Sequence, residues 1–136
     1  MKLKKKKTPS VSKLKKKLDT IFSRFVRIRD KGQCYTCPTK KEIKFMDAGH
    51  YILRQHNMTR FDERNVHCQC KYCNMYNAGS MNSYAIHLIK DYGIEILDEL
   101  EILERQVKQW KPAELQEKII YYKEKVKEME KKNTLN

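Results

Sequence analysis

Residues 65–74 read NVHCQCKYCN, and residues 34–37 read CYTC. Each stretch contains a Cys-x2-Cys pair, and 32 residues separate the two pairs. The short turn inside such a pair aims both sulfurs the same way, so two pairs can supply four thiolates to one tetrahedral Zn²⁺. We therefore predict a shared structural zinc site. Its four predicted ligands are Cys34, Cys37, Cys70 and Cys73.

The fifth cysteine of the chain, Cys68, belongs to neither pair. It lies two residues before Cys70, where it cannot easily share the geometry of that pair, so we expect a free or packed thiol. An odd number of cysteines without a visible export signal disfavours a disulfide framework. One Cys-x2-Cys pair alone could be a redox pair, so a thiol–disulfide enzyme remains an alternative.

Positive charge is concentrated towards the start of the sequence. The 136 residues carry a formal net charge of +13, and the first 31 contain 13 Lys and Arg against two acids. This distribution predicts a polyanionic partner, and we expect DNA, with residues 1–11 forming a flexible basic arm. The residues expected to contact DNA are Lys4, Lys5, Lys6, Lys7, Lys13, Lys15, Lys16, Lys17, Arg24, Arg27 and Arg54.

Apolar periodicity predicts an α+β, mostly helical fold around a small hairpin. A first helix is expected over residues 12–30, where apolar side chains recur every three to four positions and Gly32 follows as a natural stop. The predicted elements that follow are a strand at 44–53, a polar loop at 54–64, a return strand at 65–69, a helix from about Lys71 to Gly79, a helix at 82–92, helical spacing from Ile96 to about Trp110 and a last helix from Pro112.

The last predicted helix carries an apolar stripe with spacings of 4, 3, 4 and 3 residues. Its members are Leu115, Ile119, Tyr122, Val126 and Met129. Such a seam packs either on its own chain or on a second copy, so a homodimer stays open. We accordingly divide the chain into the arm at 1–11, a zinc-containing core with its leading helix at 12–92, and a C-terminal helical extension at 93–136.

Two further strings carry a resemblance to a known family. Residues 47–51 read DAGHY, and residues 60–74 read RFDERNVHCQCKYCN. A strand with a histidine, a loop, an asparagine and then Cys-x2-Cys-Asn at a helix start resembles the HNH, or ββα-metal, nucleases. More closely, residues 13–129 resemble the NinG/Rap family of phage recombination endonucleases. The resemblance implies a zinc-stapled ββα-metal core and a Mg²⁺- or Mn²⁺-dependent endonuclease acting on branched DNA such as Holliday junctions and D-loops.

The resemblance also implies roles for individual residues. Phosphodiester hydrolysis needs a base that works near neutral pH, and the resemblance places His50 in that role. Asn65 would orient the imidazole or support the loop, and Asn74 would help to hold the catalytic divalent ion. Asp47 is a further candidate ligand of that ion. In a regular strand it faces away from His50, so it would need a bulge or bend, which Gly49 permits.

Two further expectations complete the sequence-based interpretation. Four thiolates leave no open position on the zinc, which should therefore be structural, and His67 is a further candidate for phosphate or metal contact. A non-catalytic, zinc-stapled DNA-binding protein that uses the same basic arm is the alternative function. Because no sufficiently apolar span or signal peptide is visible, we expect no membrane association and a cytoplasmic location, in the host cell if a phage encodes the chain.

Overall fold

The computed structural model describes residues 7–134 and shows an α+β, mostly helical fold with one two-stranded sheet. Within these residues, no helix combines the length and the apolar character needed to cross a bilayer. The elements are α1 (Val11–Arg29), a 3-10 turn (Ile43–Phe45), β1 (Asp47–His50), α2 (Asn57–Arg60), β2 (Val66–Gln69), a π-helical turn (Tyr72–Tyr76), a 3-10 turn (Ala78–Ser80), α3 (Met81–Tyr92), α4 (Ile96–Arg105) and α5 (Pro112–Thr134).

The largest apolar core lies between α1 and α5. α1 begins after Ser10, whose hydroxyl accepts the Lys13 N–H at 3.2 Å as an N-cap. The rings of Phe22 and Phe25 each lie 4.9 Å from the ring of Tyr122 on α5. The buried members of this core are Leu14, Leu18, Phe22, Phe25, Val26, Ile28, Phe61, Val66, Leu115, Ile119, Tyr122 and Val126. The predicted stripe of α5 therefore packs on α1 of the same chain, while a homodimer stays a prediction.

The hairpin sits on the C-terminal end of α1. β1 and β2 pair antiparallel through four residues each, from Asp47 opposite Gln69 to His50 opposite Val66. The Asp30 carboxylate, which follows α1, accepts the backbone N–H of Cys68 at 2.8 Å. These contacts position the hairpin on α1 through hydrogen bonds as well as through the apolar core.

A second apolar cluster lies between α3 and α4 and is formed by Tyr84, Leu88, Ile96 and Leu100. The hydroxyl of the fully buried Tyr84 donates to the Gly49 carbonyl of β1 at 2.7 Å. Gly93, with φ +95°, ends α3 and lets the chain turn back into α4. The α3–α4 pair is thereby attached to the hairpin.

The predicted strand at 44–53 is too long, and the predicted loop at 54–64 contains the short helix α2. After His50 only one more backbone bond joins the two strands, from the Tyr51 N–H to the Asn65 carbonyl at 2.9 Å. The Asn65 side chain accepts the Ile52 N–H at 2.7 Å and donates to the Ile52 carbonyl at 3.0 Å. From Ile52 onward the Asn65 side-chain amide takes the place of a backbone partner, and the strand pairing ends.

The prediction that helical structure continues from Ile96 to about Trp110 is also wrong. α4 ends at Arg105, and Gln106 is extended with ψ 141°. Val107, expected on the apolar face, is 93% exposed. Trp110 instead packs edge-on against Phe61 of the α1–α5 core, at 5.7 Å between ring centroids. Apolar residues can keep a helical spacing in the sequence beyond the end of a helix when the later residues pack into a different core.

Gly49 is required by close packing across the hairpin. A Cβ atom at this position would lie 1.8 Å from Oε1 of Gln69. The Gln69 side chain is fully buried, and its Nε2 donates to Thr36 Oγ1 at 3.0 Å and to the Gly79 carbonyl at 2.9 Å. Because these bonds hold the amide in place, it cannot retreat from an added methyl group.

We expect Gly49→Ala to lower the free energy of unfolding by about 1–3 kcal/mol, the usual cost of overpacking a core. Urea denaturation of the zinc-loaded protein measures this quantity. Gln69→Ala removes the obstacle, so the two substitutions together should cost less than the sum of their separate effects. Strict additivity would show that Gln69 is not what excludes a side chain at position 49.

Candidate metal centre and adjoining cleft

The four cysteines of the two Cys-x2-Cys pairs meet in one cluster. The sulfur atoms of Cys34, Cys37, Cys70 and Cys73 all lie within 4.8 Å of one another, and Cys37 Sγ is 3.6 Å from Cys70 Sγ. Tetrahedral zinc with bonds of about 2.3 Å requires sulfurs about 3.8 Å apart. The predicted cluster is confirmed, and it can bind a structural metal such as zinc.

Backbone hydrogen bonds shape the first cysteine pair and attach it to the hairpin. The Cys34 N–H donates to the Thr39 carbonyl, and the Tyr35 N–H donates to the Cys68 carbonyl, both at 2.8 Å. In the second pair, the Cys73 N–H points at Cys70 Sγ at 3.5 Å. The sulfurs are therefore presented by turns that the backbone itself closes.

Cys68 lies outside the four-sulfur group, as predicted. It is fully buried in β2, and burial raises the pKa of its thiol to about 12. A thiol of this kind stays protonated at neutral pH and packs as a small apolar group. The unpaired cysteine is thus a packing residue of the hairpin.

Asp47, His50 and Asn74 line one open cleft of about 680 Å³ between α1, β1 and the turn after the second cysteine pair. Asp47 lines the cleft without the bulge or bend that we expected it to need, because the four-residue ladder is regular. Asp47 reaches the cleft from the first position of β1 and His50 from the last. A strand this short can present both ends to one cavity.

The Asp47 carboxylate is held by two donors from the segment that follows β2. Lys71 Nζ lies 2.9 Å from Oδ1, and Asn74 Nδ2 donates to Oδ2 at 3.1 Å. The Lys71 side chain is 57% exposed, so it can swing away from the carboxylate. Asp47 and Asn74 then offer two oxygen donors, the ligand type that Mg²⁺ and Mn²⁺ prefer.

His50 is held through one ring nitrogen. Nε2 lies 2.9 Å from the Arg60 carbonyl, so it carries the proton and donates, which leaves the lone pair of the neutral ring on Nδ1. Burial lowers the pKa of His50 below its usual value. The imidazole is therefore neutral near pH 7 and able to accept a proton.

Arg60 and Asp19 support His50, and the sequence analysis missed both. Arg60 donates through Nε and Nη2 to the two carboxylate oxygens of Asp19 on α1, at 3.1 and 2.5 Å. This bidentate pair holds the peptide whose carbonyl accepts from His50. The one available signal was that Asp19 is the first acid in an otherwise basic helix.

Asn65 and His67 do not line the cleft. The Asn65 amide is fully buried and bonded to the backbone of Ile52 and Thr59, so it supports the loop and does not contact the His50 ring. His67 is stacked on Tyr35 at 3.8 Å, and its ring nitrogens meet the hydroxyls of Tyr84 and Tyr92. No polar atom of His67 remains for a phosphate or a metal.

The basic residues predicted to contact DNA fall into several groups. Arg27 and Arg54 line the cleft, although Arg27 also donates to the Ile43 carbonyl at 2.8 Å. Lys15 donates to Asn57 of α2, and Arg24 pairs with Glu130 of α5. The remaining described residues of the set, Lys7, Lys13, Lys16 and Lys17, are exposed. Lys4, Lys5 and Lys6 lie outside the described residues.

Removal of the metal should unfold the hairpin region, since β1 and β2 bury few apolar side chains of their own. We expect Cys34→Ser and Cys73→Ser to abolish stoichiometric zinc and to lower the melting temperature together, because binding free energy at such a site is folding free energy. Metal content by mass spectrometry and thermal unfolding by circular dichroism measure both effects. Cys68→Ala is the matched control and should keep one zinc per chain; zinc loss in this variant would refute the ligand assignment.

Burial lowers the pKa of His67 to about 4, from about 6.5 in an unfolded chain. Between these values the unfolded state binds more protons, so stability falls as the pH is lowered. We expect this residue to contribute a loss of about 1 kcal/mol between pH 7 and 5.5. Urea unfolding measures the free energy of unfolding at pH 7 and at pH 5.5. The decrease between these two pH values should be smaller in His67→Gln than in the wild type, by about the same 1 kcal/mol. If the decrease in unfolding free energy is the same in the variant and in the wild type, His67 does not contribute to the pH dependence of stability.

Comparison with known proteins assigns the family. The family model described as Bacteriophage Lambda NinG protein matches residues 1–133. The chain is 35% identical over 107 residues to Protein ninG of Salmonella phage P22, covering 77% of this chain and 52% of that protein. It is 39% identical over 79 residues to Protein ninG of Escherichia phage lambda, covering 57% and 38%.

The same protein of Escherichia phage 933W is 40% identical over 79 residues, which cover 57% of this chain and 39% of that protein. The chain thus spans about half the length, or less, of the curated relatives it matches. No solved structure matches it. Since the family model spans almost all of the sequence, the chain belongs to the NinG family of lambda-like bacteriophages.

Proposed function

We propose that this protein is a metal-dependent DNA endonuclease of the HNH, or ββα-metal, type. The observation that carries the proposal is the meeting of Asp47, His50 and Asn74 in one cleft beside a four-cysteine cluster. Phosphodiester hydrolysis needs a general base and a divalent cation, and this cleft combines an imidazole whose Nδ1 can accept a proton with two oxygen donors for a hard cation. The zinc stays structural, because its four positions are filled by sulfur.

His50 is the general base of the proposed reaction. Its Nδ1 takes a proton from a water molecule, whose oxygen attacks the phosphorus in line with the bond that breaks. The Arg60 carbonyl, held by Asp19, accepts from Nε2–H and keeps the ring aimed into the cleft. The same hydrogen bond stabilises the imidazolium that proton transfer creates.

Asp47 and Asn74 are the residues that would hold the catalytic Mg²⁺ or Mn²⁺. Such an ion, when bound, offsets the negative charge that develops on the leaving oxygen. In this structure Lys71 donates a hydrogen bond to the Asp47 carboxylate. In the proposed reaction it releases that carboxylate and turns to a phosphate of the substrate, as its exposed side chain permits.

Cations around the cleft and on α1 would bind the phosphate backbone. Arg27 and Arg54 line the cleft itself, and Lys16 and Lys17 lie exposed on the helix that forms one wall. Such contacts position a duplex without reading its sequence. By the resemblance described above, we propose branched recombination or replication intermediates, such as Holliday junctions and D-loops, as the substrates in the host cell.

The proposal is tested by incubating purified protein with four-way junction, linear duplex and single-stranded DNA, with and without Mg²⁺ or Mn²⁺. We expect divalent-dependent cleavage by the wild type. His50→Ala should lower the single-turnover rate by about 10²-fold or more, the usual loss of a general base, while zinc content and DNA affinity are kept.

His56→Ala is the matched control, because this histidine lies outside the cleft, with its Nε2 3.4 Å from Glu104 Oε1. It should cleave at the wild-type rate. Wild-type cleavage by His50→Ala would assign the proton transfer to another group. DNA binding without cleavage on every substrate and metal would favour the non-catalytic DNA-binding alternative.

A further inference from the structure

Large apolar side chains lie exposed on the rim of the cleft. Leu53 and Met75 line the cleft and are nevertheless 61% and 62% exposed. Phe45, next in the chain to the cleft-lining Lys44 and Met46, is 53% exposed. Leu53 and Met75 come from two separate segments of the chain that meet at this cleft. A single exposed apolar residue is ordinary on a protein surface, whereas convergence at one cavity indicates a binding surface.

Cations alternate with these apolar residues. Arg54 follows Leu53 directly, and Lys71 lies four residues before Met75. The side chains of Arg54 and Lys71 are 64% and 57% exposed. The acids of the cleft are already engaged, since Asp19 pairs with Arg60 and lies 4.0 Å from Arg54, and Asp47 accepts from Lys71 and Asn74. The rim therefore offers exposed cationic side chains, each paired with a single carboxylate, beside apolar surface.

This combination fits DNA whose bases are unstacked. An intact duplex presents phosphates to a basic surface but keeps the faces of its bases stacked on one another. Leucine and methionine are side chains that proteins insert between base steps, and the insertion costs unstacking free energy. That cost is smallest where the stack is already interrupted, as at a branch point or a gap.

We propose that Leu53 and Met75 form a wedge that contacts unstacked bases beside the phosphate that His50 faces. The inference rests on the proposed function in one respect, namely that DNA occupies the cleft. It adds the feature by which the substrate is selected: the interruption of base stacking, read by apolar side chains, while Arg54 and Lys71 bind the flanking phosphates without regard to sequence.

The test compares two double variants of matched exposure. Leu53→Ala/Met75→Ala changes the rim, and Ile102→Ala/Ile120→Ala changes residues that are 60% and 64% exposed on α4 and α5, outside the cleft. Affinities for a four-way junction, a gapped duplex and an intact duplex are measured with Ca²⁺ in place of Mg²⁺. Zinc content and thermal unfolding verify that both variants fold.

We expect the ratio of junction affinity to duplex affinity to fall by about fivefold or more in the rim variant, because each truncation removes several apolar atoms and the burial of even one methylene changes an affinity about fourfold. The control variant should keep the wild-type ratio. 2-Aminopurine at the branch point should brighten when the wild type binds, because its neighbours are unstacked, and should stay dim with the rim variant.

A parallel loss on the gapped duplex would assign the wedge to unstacked bases in general, and a loss on the junction alone would assign it to branch points. An unchanged ratio, or equal losses on junction and duplex, would overturn the inference while leaving the proposed nuclease intact. Absence of all DNA binding by the wild type would overturn both proposals. Because the measurement is of binding, a failure to detect cleavage does not decide it.

Discussion

The four-cysteine cluster is the constraint on which the site depends. It joins the turn after α1 to the turn after β2, two segments that are more than 30 residues apart in the chain. The second turn carries Lys71 and Asn74, and both side chains reach the Asp47 carboxylate of β1. Metal binding at the cluster would therefore also set the distance between the two proposed ligands of the catalytic ion. A structural site of this kind would thereby influence the proposed chemistry without taking part in it.

The two histidines of the hairpin, His50 and His67, have different environments and therefore different proposed roles. His67 has both ring nitrogens bonded to tyrosine hydroxyls and is stacked on Tyr35, so its polar atoms are fully used. His50 has one nitrogen bonded to a backbone carbonyl and opens into a cleft. Burial lowers the pKa of both side chains and keeps both neutral near pH 7. Access, and not protonation state, therefore distinguishes the proposed base from the structural residue.

α1 serves the core and the cleft with different faces. Leu18 and Phe25 are buried against the rest of the molecule, whereas Asp19, Ser23 and Arg27, four residues apart, line the cleft. Residues at this spacing share one face of a helix. The pairing of Asp19 with Arg60 then transmits the position of the helix to the peptide that holds His50. A helix that looks from composition like a simple basic surface is thus also the support of the proposed base.

The sequence by itself determined the features that depend on near neighbours. The two Cys-x2-Cys pairs, the apolar face of α1 and the start of α5 at Pro112 were all predictable, because spacing and backbone chemistry are local properties. Helical periodicity misassigned Trp110, which packs into a core built by α1 and α5. Only the tertiary structure decided that Asp47 and His50 share a cleft without a bulge, and that Asn65 supports a loop. Those outcomes depend on contacts between residues far apart in the chain, which no local pattern records.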